Sequence, residues 1–260
     1  MADFIFIRKS RNILSSILHI IFNILLGVGS IAITVVTGSW ILGVILVLLS
    51  KWRIFAVRPR YWLANIKSSL VDLIVGSSIV LITYCSGTNL MPIHFALGII
   101  YTIWLIFIKP QSSETANEIQ SLIAIFLGTT ATILMSASAE AIFMTVACYI
   151  IGYGAARHVM IQNDDHDFAL TTRICGLISA EIAWVAHSWL IVYKFGDTGV
   201  ILPQLSIIMT VLAFGFGKVY KSILKHDGTL KFSDVAAPVI FTILIIIVIV
   251  VGFSKPIFDI

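Results

Sequence analysis

Charge is the scarcest property of this 260-residue chain. Asp, Glu, Lys and Arg make up 12% of it, while 59% is hydrophobic. A soluble domain is about half apolar and about a quarter charged. A globule of this size needs a charged exterior, so the shortage excludes a soluble enzyme and a disordered chain. Cysteine is scarce too. Cys85, Cys148 and Cys175 lie inside apolar runs, with no CxxC pair and no histidine at metal-ligand spacing. That excludes a secreted disulfide scaffold, and the three read as small packing residues. The six prolines fall in loops, at the ends of apolar runs or in their first turns. None interrupts a run at its middle, so the broken helices of many secondary transporters are not indicated. There is no GxGxxG, P-loop lysine motif, GxSxG elbow or HExxH. The last apolar run has no lysine between Lys231 and Lys255, which speaks against a retinal Schiff base.

What is present is a series of long apolar runs. A helix crosses a bilayer with roughly 17–25 such residues. Nine runs qualify, near 12–28, 30–50, 69–86, 92–109, 116–136, 139–157, 168–193, 199–222 and 234–254. They predict an all-α integral membrane bundle of nine transmembrane helices, one domain over 1–260. The first two come from one unbroken stretch, 13–50, and Gly27-Val28-Gly29-Ser30 is the expected turn between them. A cleavable leader is the rival reading, since Arg8, Lys9 and Arg11 precede the stretch. His19 and Asn23 inside the apolar run argue against it. Thr115-Ala-Asn-Glu118 reads as a capping box, and Asp167 and Ser233 as N-caps.

With the N-terminus in the cytoplasm and nine crossings, the C-terminus lies outside. Fifteen of the 17 Lys and Arg then face the cytoplasm, leaving only Lys194 and Lys255 outside. This is the bias expected of a membrane protein, and it accounts for the net charge of +4 without a nucleic-acid partner. Economy of loops suggests a bacterial cytoplasmic membrane.

Charged groups in lipid need partners. Glu181 is the deepest acid, with His19 at similar depth and Asn23 one turn from it. The three are the first candidate for a buried polar site, either an ion or substrate relay or a structural hydrogen bond. His187 and Glu140 form a second candidate nearer the outer surface. Asp72, Arg173 and Lys218 form an inner layer in which mutual pairing or snorkelling would neutralise charge. Small residues spaced by four, such as Cys148-Gly152-Ala156, Gly176-Ala180, Ser179-Ala183 and Ala213-Gly217, suggest a packed centre of spans six to eight around Glu181.

Residues 51–68 carry five positive charges and no acid, interleaved with Trp52, Phe55, Tyr61 and Trp62. Such a segment suits the headgroup layer, where Arg53, Arg58 and Arg60 would meet anionic lipid headgroups or a diphosphate. An ordinary positive anchor explains it as well. In the loop between spans six and seven stands Asn163-Asp164-Asp165-His166-Asp167. That acidic loop, with Arg58-Pro59-Arg60-Tyr61-Trp62 and Lys109-Pro110-Gln111-Ser112-Ser113, resembles the UbiA-type intramembrane prenyltransferases. The resemblance implies a Mg²⁺-diphosphate site at Asp164, Asp165 and Asp167. The family's first Asp-rich motif is missing here, so the resemblance is to a degenerate relative. No other cofactor is expected. The stretch Leu49 to Val75 also looks like polytopic membrane proteins of small-genome bacteria, a likeness that implies no activity.

Three functions stay open. A permease-like transporter with its polar site at Glu181 and His19 predicts that Glu181→Gln and His19→Ala abolish uptake. A prenyl or lipid-diphosphate transferase predicts Mg²⁺-dependent diphosphate binding. A membrane scaffold predicts a constant partner.

Overall fold

The computed structural model describes residues 2–136, 139–161, 168–195, 198–226 and 228–253, the side chains of 2–14 and 53 excepted. Its helices are α1 (Ala2–Thr37), α2 (Trp40–Leu49), α3 (Trp62–Ser68), α4 (Leu70–Cys85), α5 (Pro92–Ile103), α6 (Glu114–Ser136), α7 (Ala141–Met160), α8 (Phe168–His187), α9 (Gln204–Lys225) and α10 (Phe232–Ile247). Wider π turns, Trp104–Ile108 and Val248–Gly252, extend α5 and α10. One antiparallel ribbon joins α8 to α9: β1 (Val192–Lys194) pairs with β2 (Ile201–Pro203), Tyr193 opposite Leu202.

Among the described residues, six helices are long and apolar enough to cross a membrane: Ser15–Thr37, Glu114–Ser136, Ala141–Met160, Phe168–His187, Gln204–Lys225 and Phe232–Gly252. Pro59–Ser68 with Leu70–Cys85 makes a seventh if counted as one span bent by 69°. Trp40–Leu49 and Pro92–Ile108 are apolar but shorter. Large apolar side chains such as Phe22, Phe95, Phe107, Phe143 and Trp184 point outward. Exterior helix faces of this kind suit hydrocarbon, because helices satisfy their own backbone groups. The chain is a multi-pass, all-α membrane protein.

The expected turn at Gly27–Ser30 is not there. α1 runs straight through it and ends at Thr37, and the reversal is made by Gly38 at φ +61°. Gly27 serves instead as a contact: a Cβ there would meet Thr102 Oγ1 at 2.5 Å. The missing side chain lets α1 and α5 approach closely. Ser30 is buried in mid-helix, its hydroxyl donating to the Gly27 carbonyl at 3.2 Å.

Two expected caps also move. At α6 the cap is Ser113, whose Oγ accepts from the Ala116 amide at 3.2 Å, and Glu118 turns elsewhere. Ser233 lies inside α10, next to the Lys231 N-cap, and donates to Asp234 at 3.2 Å. Asp167 lies outside the described residues.

The core sits between α2, α4, α5, α6 and α7. Val75, Ile79, Val80, Tyr101, Trp104, Leu105, Ala124, Ile133 and Met144 are almost wholly buried there. The expected centre at spans six to eight is therefore displaced. α8 packs along α7 and meets α9 hardly at all. On α7 and α8 the small residues do allow close approach. Gly152 lies against Ser179 and the Cys175 carbonyl, and Gly176 against Tyr149.

Candidate functional site

Four helices place the site: α6, α7, α8 and α9. Because α8 rests on α7 and diverges from α9, a cleft of about 260 Å³ stays open between them. Its walls are Leu122 and Ile125 of α6, Gly152 and Ala156 of α7, Ile178, Ser179 and Ile182 of α8, and Met209, Leu212, Ala213, Phe214 and Gly217 of α9. Ala213 and Gly217, expected as helix contacts, line this space. A Cβ at Gly217 would meet nothing within 4 Å.

One end of the cleft is charged. Lys218 Nζ lies 3.2 Å from Glu118 Oε2. Lys221 pairs with the other oxygen of Glu118 and reaches Glu114 Oε1 at 2.8 Å. Lys218 also stands over the Phe214 ring at 5.4 Å, where the ring's negative face attracts it. Two carboxylates and two ammoniums thus close the end in a balanced lattice. Beside it, Gln120 donates to the carbonyls of Ile108 at 2.7 Å and Gln111 at 3.0 Å, and its Oε1 accepts from His158 at 2.7 Å. An apolar trough with one charged end can hold an amphiphile by its chain and its head.

Glu118 and Lys221 were not among the sequence candidates. The available signal was Glu114 and Glu118 one turn apart near the start of one apolar run, and Lys218 and Lys221 near the end of another.

A second charged knot joins α2, α4 and α5. Asp72 pairs with Lys51, lies 2.9 Å from Lys109, and accepts from Trp104 Nε1 at 3.2 Å. One carboxylate is shared by two lysine amino groups in a nearly buried place. Burial, and after it the Lys109 charge, hold Lys51 down to about 6. Of the two expectations for Asp72, Arg173 and Lys218, mutual pairing is not formed. Asp72 and Lys218 have the partners above, and Arg173 is exposed on α8.

The buried site expected at Glu181, His19 and Asn23 is not assembled either. Asn23 Nδ2 donates to His19 Nδ1 at 3.1 Å, one turn apart on α1, and His19 is exposed. Glu181 faces outward from α8 with no partner among the described residues. α1 packs on α2, α4 and α5, and α8 on α7.

His187 and Glu140 do lie at the same end of the bundle. His187 Nε2 donates to the Ala139 carbonyl at 3.1 Å, and Glu140 stands exposed at the α7 N-cap with no ion pair to it. Arg58 and Arg60 are exposed on the turn before α3, Arg60 over the Tyr61 ring at 4.6 Å. The side chain of Arg53, and Asp164, Asp165 and Asp167, lie outside the described residues. Among the described residues no three His, Cys, Asp or Glu side chains converge as a metal site.

No protein-family model, curated protein or solved structure matches this chain.

Proposed function

We propose that this chain is a permease-like membrane protein that takes an amphiphile, an apolar chain with a polar head, into the cleft between α6, α7, α8 and α9. The observation that carries the reading is the cleft itself: apolar walls, an open side between α8 and α9, and the Glu118–Lys218–Lys221 lattice at one end. A ligand site in a helix bundle is expected between helices, mostly apolar with a few placed polar groups. The polar end belongs on the cytoplasmic side in the nine-crossing, N-terminus-in arrangement that the distribution of Lys and Arg supports. The amphiphile then enters from the inner leaflet of a bacterial cytoplasmic membrane. Arg58, Arg60 and the aromatic residues around them hold anionic headgroups at the same surface.

Gly217→Phe tests this. The new side chain projects into open space, so it fills the cleft without displacing a helix. Binding of a dansyl-labelled single-chain phosphate amphiphile to purified protein in nanodiscs should weaken about tenfold, a loss of about 1.4 kcal/mol, while the melting temperature holds. Wild-type affinity in this variant removes the reading. A prenyl diphosphate that binds only with millimolar Mg²⁺, and equally well in the variant, moves the function to the transferase alternative.

A further inference from the structure

Glu181 presents a separate problem. Ser179 touches Gly152 near the middle of α7, and Glu181 lies two residues further on, about 3 Å along the axis. Its carboxylate is therefore midway across the bundle. The face that it shares with Leu177, Trp184 and Val185 is exposed, and α8 has α7 as its main neighbour. A carboxylate against hydrocarbon at this depth costs at least a few kcal/mol by insertion scales, unless a partner neutralises it. None of the described residues of this chain does so. The described residues of a second copy supply none either. Every exposed Lys and Arg among the described residues lies in a loop, on the β1–β2 ribbon or within two turns of a helix end, and a parallel copy would set carboxylate against carboxylate.

We propose that the outward face of α8 around Glu181 docks a transmembrane helix of another protein, one that carries a single lysine or arginine at mid-length. The rest of the face suits such a helix. Leu177 and Val185 flank the acid one turn to either side, and Trp184 offers a flat ring beside it. An intramembrane pair of opposite charges is a means by which one helix selects another among many that are equally apolar. The inference stands on Glu181 and is independent of the cleft.

Leucine helices with identical flanks and either lysine or leucine at the centre serve as probes, read by energy transfer to the labelled protein in phosphatidylcholine vesicles. The central-lysine helix should associate about tenfold more tightly than the leucine control. Glu181→Gln should remove that preference with an unchanged melting temperature, since Glu181 is exposed and forms no hydrogen bond or ion pair with a described residue. Glu181→Lys should transfer the preference to a probe with central glutamate. Equal association of the two probes with wild-type protein, or an undiminished lysine preference in Glu181→Gln, overturns the proposal. Self-association of wild-type copies that Glu181→Gln abolishes overturns it as well, in favour of a homomeric contact.

Discussion

At the residue scale, glycines and one crowded lysine give the sharpest expectations. A Cβ on Gly76 would meet Tyr101 Oη at 2.6 Å and Val47 Cγ1 at 2.8 Å, both in the core. Gly76→Ala should destabilise by about 1–3 kcal/mol through overpacking. Gly217→Ala, with open space around it, should be neutral or stabilise by up to about 1 kcal/mol from helix propensity. Unfolding midpoints in mixed detergent rank the two, and a reversed order contradicts the packing described. Lys51 adds a pH dependence. Its folded value of about 6 lies below its ordinary 10.5. Between those values the unfolded chain holds a proton that the folded chain has released, so stability should rise with pH across that window. Lys51→Met should flatten the slope, measured as unfolding midpoints from about pH 6.5 to 9.5.

At the element scale, each π turn meets a glutamine from a neighbouring helix. A π turn shifts the backbone bonding by one residue and leaves carbonyls without an internal donor. Gln120 of α6 donates to Ile108, the last residue of the first turn, and Gln204 of α9 donates to Ile249 within the second at 2.9 Å. Tyr193 on the ribbon adds a bond to the Phe253 carbonyl at 2.8 Å. Gln204→Leu keeps the size but strands the Ile249 carbonyl, so about 1–3 kcal/mol should be lost. Hydrogen exchange at the end of α10 should rise locally, and unchanged exchange would mean that the glutamine is incidental. None of this was legible beforehand, because a glutamine in an apolar run does not disclose which neighbour it faces. Seven of the nine runs were legible: α4 to α10 fall one in each of the last seven, with most boundaries within two or three residues, whereas α1 covers the first run and part of the second. The error at Gly27 has a physical cause. In water glycine commonly marks a turn, but between membrane helices it marks a close approach. The charged lattice was missed for a similar reason. Periodicity shows that Glu118 and Lys221 lie near helix ends, but not that α6 and α9 turn those ends toward each other.

At the scale of the whole molecule, the two ends of α9 offer a test of the proposed sidedness. Lys194 precedes it on β1 and Lys225 closes it. In a background without Cys85, Cys148 and Cys175, an impermeant maleimide on intact cells should label Lys194→Cys and spare Lys225→Cys. Labelling of both, or of neither, contradicts the nine-crossing arrangement. The balance of the fold is also uneven. The core from α2 to α7 is knit by Asp72, Tyr101 and Trp104, whereas α8 hangs from one neighbour. A door of that kind has a bearing on leakage. On the function proposed above, an oily guest would slip in sideways from the surrounding lipid between α8 and α9, a route that needs no aqueous pore and so would spare the barrier to protons and salts.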